Sequence, residues 1–240
     1  MTGIQLLPLE GIPELEEGDD LAGLLLEAAG WVGGLQANDV LVVAHKAVSK
    51  VEGRVVRLDE IEPSEVAREL AGDDDPRHLE VILGEAARVV RSRPPLVIAE
   101  TSHGFVCASA GVDASNTPGA DTLVLLPLDP DASARLLYER LGVAVIVSDS
   151  FGRPFRQGTT DVAIGVAGLA PLLDLRGKRD RVGYELRSTQ IAVADEIAGA
   201  AELVMGKTDG IPAAIVRGLE LAGDGSARDL VMPAERDLFR

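Results

Sequence analysis

Two short aliphatic runs, Asp39–Ala44 and Val143–Val147, do most to fix what this chain can become. Neither alternates polar with apolar, so each reads as a strand buried on both faces. Such strands demand covering layers, and the chain supplies helical segments between them. The covering must be aliphatic, because only seven residues are aromatic. Apolar residues make up 46% of the 240 positions, enough to build a substantial core in one large domain or two small ones.

Around these runs the pattern alternates. Ile4–Leu9 is strand-like, and Asp20–Trp31 has helical spacing through Leu21, Leu24, Leu25 and Ala28, with Asp19 or Asp20 as cap. Arg54–Leu58 reads as a strand, and Ser64–Ala71 and Pro76–Arg91 as helices. Leu96–Ala99 and Phe105–Ala108 are strands around a turn at Ser102–Gly104, and Thr122–Leu126 is another strand. Pro130–Leu141 is the clearest helix: Asp129 caps it, Pro130 opens it and Gly142 closes it. Val162–Gly168 is apolar with glycines, Thr189–Met205 reads as one long helix, Ala213–Val216 as a last strand, and a polar tail follows. A short echo, Glu10–Pro13 and Asp209–Pro212, reads as two acid-Gly turns entering Pro-fixed segments.

Charge narrows the function. Lys plus Arg number 23 and Asp plus Glu 39, a formal charge of −16, so nucleic-acid binding is a poor reading. Anionic small molecules remain open, given local cations or metal ions. No apolar run approaches the ~18 residues of a spanning helix. No signal peptide is visible, and Cys107 is the single cysteine, so a cytoplasmic protein without disulfides is expected. Only four residues are lysine: Lys46, Lys50, Lys178 and Lys207.

Four stretches carry chemistry. Ser148–Gly158 delivers Asp149 and Ser150 from the end of a buried strand, then Arg153 and Arg156 on a Gly/Pro-shaped loop. An Asp beside a hydroxyl suits magnesium or manganese, and two arginines suit phosphate or carboxylate; the plain alternative is a turn with solvated arginines. Ala110–Asn116 offers Asp113 and Asn116, either as partners of Asp149 around a cation or as an Asx turn. Val43–Lys50 holds His45, Lys46 and Lys50 in a phosphate-side loop past a strand. Ala201–Thr208 nearly matches a phosphate-binding loop, but it ends a helix instead of opening one, so Gly206 is read as a C-cap. No G-x-S-x-G elbow, zinc spacing or G-x-G-x-x-G fingerprint is present, and Cys107 is read as a small core residue.

In order and spacing, Leu7–Pro13, Asp39–Val43, Val48–Lys50, Gly111–Asn116, Leu126–Asp131, Asp149–Arg153, Phe155–Arg156, Ala194–Ala198 and Met205–Lys207 resemble the coenzyme F-420-0:γ-glutamyl ligases, also called F-420 glutamate ligases. The likeness is to a bacterial-type ligase domain spanning 1–240, with no room for the reductase domain fused to some relatives. It implies an α+β fold of mixed sheets with packed helices, and an active site built in an intertwined homodimer. It implies GTP-dependent ligation of L-glutamate to the carboxylate of a deazaflavin coenzyme precursor (F-420-0 or its dehydro form), and further γ-linked glutamates. Magnesium or manganese would assist, with a monovalent cation as an optional addition.

By match to the family pattern, Asp113, Asp149 and Ser150 would hold metal, and Ile12, Pro13, Glu14, Leu15, His45, Lys46, Lys50 and Asn116 would line the GTP site. Gly206, Lys207, Thr208, Asp209 and Gly210 would join them, and Lys50, Arg153 and Arg156 would neutralise charge during transfer. Lys207 stands where the archaeal form has a metal-binding Glu, within a shorter loop, and His45-Lys46 stands where that form has two hydroxyl residues. Two other readings compete: a metal-dependent phosphoryl transferase or hydrolase acting on a nucleotide, and a non-catalytic nucleotide-binding dimer.

Overall fold

The computed structural model describes residues 3–221 and 223–238. Its strands are β1 (Gln5–Pro8), β2 (Val40–Ala44), β3 (Val55–Arg57), β4 (Ala86–Arg93), β5 (Leu96–Thr101), β6 (Val106–Ala108), β7 (Thr122–Val124), β8 (Ala144–Gly152), β9 (Thr159–Ala167), β10 (Leu173–Asp174), β11 (Gln190–Ile191) and β12 (Ala213–Arg217). Its α-helices are α1 (Leu21–Trp31), α2 (His45–Val51), α3 (Glu65–Ala71), α4 (Pro76–Glu85), α5 (Pro130–Leu141) and α6 (Val193–Met205). The architecture is mixed α+β, as expected. No helix among the described residues is long and apolar enough to cross a membrane.

The two aliphatic runs lie at the centre. A five-stranded sheet has the order β1-β12-β2-β8-β9, in which β2 and β8 are parallel and the other pairs antiparallel. Leu41, Val42 and Val43 on β2 and Val145, Ile146 and Val147 on β8 are completely buried. Both faces of these strands are covered, so the runs need no polar alternation. The start of β2 is pinned by Asp39, whose carboxylate takes two hydrogen bonds from Arg217 of β12, at 2.8 and 2.7 Å. Helix α5 sits against β9 so closely that a Cβ on Gly165 would lie 2.2 Å from the Pro130 carbonyl oxygen. The Asp131 carboxylate reinforces that seat by accepting from the Val166 amide at 2.8 Å.

Residues 55–124 build smaller sheets, β3-β7 and β4-β5-β6, over two separate apolar clusters. The caps behave as their residue types dictate. Asp20 caps α1 and accepts from the Gly23 amide, Asp129 caps α5, and Gly142 closes it in the left-handed region.

Three sequence expectations need correction. The helix expected over Pro76–Arg91 stops at Glu85, and residues 86–93 pair with β5 as β4. Its mostly exposed residues and two register shifts hide the two-residue period. The helix expected over Thr189–Met205 starts at Val193, because Gln190 and Ile191 pair with Asp174 and Leu173. The loop expected after β2 is instead helix α2, which begins at His45 without a side-chain cap.

Candidate active site

The echoed tetrapeptides explain where the site forms. Residues 10–13 follow β1 and residues 209–212 precede β12, its antiparallel partner, so both turns meet at one end of the sheet. Leu9 N–H donates to the Ala213 carbonyl at 2.9 Å, and Ala44 N–H donates to the Pro212 carbonyl at 2.8 Å. The carboxyl ends of β2 and β8 open at the same place, as ligand sites in parallel-stranded sheets commonly do. There a cavity of about 250 Å³ is lined by Ile12–Leu15, His45, Lys46, Lys50, Asn116, Asp149, Ser150, Gly206, Lys207 and Gly210. Three of the four lysines of a strongly acidic chain therefore face one cavity.

Helical period puts two of them there. Lys46 and Lys50 are four residues apart on α2 and share a face. Lys46 Nζ lies 2.6 Å from Asp113 Oδ2 and donates to the Ser115 hydroxyl at 2.8 Å and its carbonyl at 3.0 Å. Asp113 Oδ1 accepts from the Ser115 amide at 2.7 Å, so the Asx turn is present, and the positive group this carboxylate meets is the Lys46 ammonium. Burial pushes the Asp113 carboxyl up, but the Lys46 ammonium and the Ser115 amide outweigh it and hold it below its ordinary value. Lys50, itself buried, pairs with Glu14. Asn116 adopts φ 53°, a left-handed conformation that Asn tolerates better than most residues, and its amide donates to the Lys207 carbonyl at 3.1 Å. That bond ties the turn at 113–116 to the loop after α6, which Gly206 opens at φ 60° as the expected C-cap.

The end of β8 is organised by its neighbour. A register shift between Val147 and Ser148 precedes the pairing of Asp149 with Val162 and Ser150 with Asp161. Asp161 is 5% exposed and accepts from the Ser148 hydroxyl at 3.0 Å and the Ser150 hydroxyl at 2.5 Å. Each serine thereby commits its one hydroxyl proton, leaving only lone pairs to offer a ligand. Asp149 Oδ1 accepts from the Ser150 amide at 2.7 Å and lies 3.3 Å from His45 Nε2. Glu202 of α6 also faces the cavity; burial and the nearby Asp161 charge push its carboxyl above the usual range, against Lys207.

Asp113, Asp149, Ser150 and Cys107 line a second, smaller cavity of about 80 Å³. Burial, with the Asp149 charge, pushes the Cys107 thiol up to about 12, so it is inert as a nucleophile. Two carboxylates and a hydroxyl are hard oxygen donors of the kind magnesium and manganese take. Nowhere among the described residues do three His, Cys, Asp or Glu side chains gather as a metal cage. Such a donor set would suit a magnesium-like ion only with further oxygen ligands from outside the chain, since Lys46 and the Ser115 amide already engage the Asp113 carboxylate.

The other sequence candidates fall elsewhere. Arg153 and Arg156 do not line either cavity: Arg153 turns back to donate to the Gln157 carbonyl at 2.7 Å, and Arg156 is exposed. Thr208 and Asp209 shape the loop without lining the cavity. Nothing in the local sequence singles out Asp161, Glu202 or Ser148. Asp161 could have been found only by pairing β8 with β9.

The chain matches the sequence model of the F420-0:Gamma-glutamyl ligase family over residues 11–218. It belongs to that family. Among similar F420-0:gamma-glutamyl ligase relatives, the Coenzyme F420:L-glutamate ligase of Methanothermobacter thermautotrophicus is 46% identical over 252 residues, covering 99% of both chains. The protein of the same name from Methanopyrus kandleri is 47% identical over 257 residues, covering 100% of both. That of Methanocaldococcus jannaschii is 44% identical over 86% of each chain.

Proposed function

We propose that this chain is a GTP-dependent ligase that joins L-glutamate to the carboxylate of a deazaflavin coenzyme precursor. The observation that carries the reading is the convergence of Lys46, Lys50 and Lys207 on one cavity beside Asp149 and Ser150, in a chain of charge −16. That concentration of cations is what a polyphosphate requires. Membership in the ligase family supplies the acceptor and the amino acid.

The chemistry follows from the bond to be made. A carboxylate resists an amine because oxide is a poor leaving group. Its oxygen therefore attacks the γ-phosphorus of GTP, and GDP leaves with the electrons of the broken P–O bond. The α-nitrogen of glutamate then attacks the acyl carbon, phosphate departs, and the nitrogen sheds a proton to leave an amide. Every reactant is anionic, so charge neutralisation is the main catalytic demand.

Lys50 and Lys46 stand in fixed positions for the phosphates, and Lys207 faces them from the loop after α6. Asp113, Asp149 and Ser150 would hold a divalent cation, with Asp161 keeping the Ser150 lone pairs turned toward it. A cation there would offset phosphate charge. The reading also includes a homodimer of the kind the resemblance implies.

Mass analysis of products tests the reading. Incubation with the precursor, GTP, magnesium or manganese, and L-glutamate is expected to add glutamate to the precursor and release GDP and phosphate in equal amounts. Phosphate release that does not depend on glutamate would instead identify a nucleotide hydrolase.

A further inference from the structure

Lys46 and Lys50 share a helix face but are held in different ways. An ammonium group has three protons, and three acceptors on the 113–116 turn take those of Lys46: Asp113 Oδ2 at 2.6 Å, the Ser115 hydroxyl at 2.8 Å and the Ser115 carbonyl at 3.0 Å. The acceptors are themselves fixed, because the Ser115 amide donates to Asp113 Oδ1 and the Asn116 side chain ties the turn to the loop after α6. Lys50 instead pairs with Glu14, whose side chain is 66% exposed and can move aside into solvent. The Lys46–Asp113 pair also joins the two cavities: Lys46 lines the larger, Asp113 lines the smaller, and Asp149 and Ser150 border both. The Lys46 ammonium therefore stands on a carboxylate oxygen that a cation would need, with no proton left over for a phosphate.

We propose that the Lys46–Asp113 pair is an exchange latch, through which the site takes up a divalent cation and a polyphosphate together and neither of them well alone. The inference rests on the ligase reading above. A polyphosphate that draws Lys46 Nζ away from Asp113 leaves a partly buried carboxylate uncompensated beside another anion. A cation that takes Asp113 alone displaces the ammonium yet stays close to it, and like charges repel. When both arrive, the phosphate receives the ammonium as the cation receives the carboxylate. Each ligand then replaces the partner that the other removes. This is a coupling free energy between two ligands, and it acts equally in both directions. The Ser115 hydroxyl and carbonyl keep Lys46 at the boundary of the cavities, so the exchange costs one of its three hydrogen bonds. Lys50 has no such part, because its partner Glu14 does not line the smaller cavity.

Binding measurements on the intact protein, without precursor or glutamate, test this. Manganese alone, followed by electron paramagnetic resonance, is expected to bind Lys46→Met about tenfold more tightly than wild type, because Asp113 is released. Lys50→Met removes the same charge from the same helix face and is expected to change manganese affinity by less than about threefold. The double variant Lys46→Met/Asp113→Asn is expected to lose the gain. The reciprocal arm titrates GTP in the presence of EDTA. Asp113→Asn keeps an oxygen for the Ser115 amide and releases Lys46, so metal-free GTP is expected to bind about three- to tenfold more tightly, and the double variant again to lose the gain. Thermal unfolding of each variant confirms that it is folded. Equal manganese gains in Lys46→Met and Lys50→Met would overturn the latch, as would no gain in either arm or a GTP gain that persists in the double variant. If wild type binds GTP with manganese and the variants do not differ from it, the latch alone fails. If wild type binds no GTP even with manganese, the ligase reading fails and the latch falls with it.

Discussion

Helix α2 and the loop between β8 and β9 each place two cations just past a strand that ends at the cavity, yet only the helix delivers its charge. Lys46 and Lys50 are four residues apart, and the helical period aims both inward, where Asp113 and Glu14 receive them. Arg153 and Arg156 sit on a turn with no such period. Arg153 spends a guanidinium N–H on the Gln157 carbonyl, and Arg156 remains in solvent. Nearness in sequence to a strand end is therefore weak evidence of a site. A regular element that fixes side-chain direction, plus a carboxylate waiting opposite, is stronger.

The comparison is broken most severely at the residue between the two regions. Asp149→Asn is expected to lower ligation on the order of 100- to 1,000-fold, because the amide keeps the shape and removes the charge facing the reacting groups. The amide oxygen can still accept from the Ser150 N–H, so the fold is expected to survive. Turnover and thermal unfolding measured on the same preparation check both halves. Near-normal turnover at low metal concentration would remove Asp149 from the machinery.

Next come the cations themselves. Lys50→Ala is expected to weaken GTP binding by about 1.5–3 kcal/mol, roughly 10- to 150-fold, as loss of a charged phosphate contact. Its partner Glu14 is 66% exposed, so leaving it unpaired should cost little stability. Arg156→Ala is the matched control from the loop and is expected to change GTP affinity by less than about twofold. Calorimetric titration of GTP into both variants decides the matter: equal losses would mean that the loop cations reach the nucleotide after all.

The same contrast explains what could be read from the sequence. Local chemistry was readable. Asp129, Pro130 and Gly142 mark α5 at both ends, and the aliphatic runs mark β2 and β8 because burial on both faces leaves an unbroken apolar string. The family likeness pointed to most of the cavity lining. Nonlocal pairing was hidden. Asp161 enters the site only because β9 pairs with β8 across a register shift, and Glu202 only because α6 packs against β9 and β12. Helix α2 was hidden because Ala44, at its N-cap, makes no side-chain bond and gives no sequence sign of a start.

A smaller effect tests the Lys46 side of the comparison through pH. The Asp113 carboxyl titrates below its ordinary value in the folded protein, so its contribution to stability is present above the unfolded value of about 3.9 and is lost as pH falls through the folded value. Lys46→Met removes the largest opponent of burial at that carboxylate. The variant is expected to lose about 1–2 kcal/mol at pH 7, discounted for partial exposure of the pair, and the gap to wild type should close as pH falls below about 4. Denaturant midpoints at the two pH values measure it. A gap independent of pH would mean that Lys46 acts by packing alone.

The smallest effect concerns Lys207, which is exposed and lies on the loop after α6. The Asn116 side chain holds the backbone carbonyl of Lys207, not its ammonium, so replacing the side chain leaves the loop tied to the 113–116 turn. Any change in nucleotide affinity then reports the charge. Lys207→Ala is expected to raise the KM for GTP about two- to fivefold, the scale of a solvent-screened charge contact. Lys207→Glu should weaken GTP binding further at low metal, because the new carboxylate faces Glu202, the Asp161 charge and the phosphates together. If the carboxylate also serves a cation, added manganese should recover more activity in Lys207→Glu than in Lys207→Ala, and manganese binding followed by electron paramagnetic resonance should tighten in the first alone. Superimposable metal titrations for wild type and both variants would show that Lys207 is a solvated residue at a helix end and that Lys46 and Lys50 carry the phosphate charge by themselves.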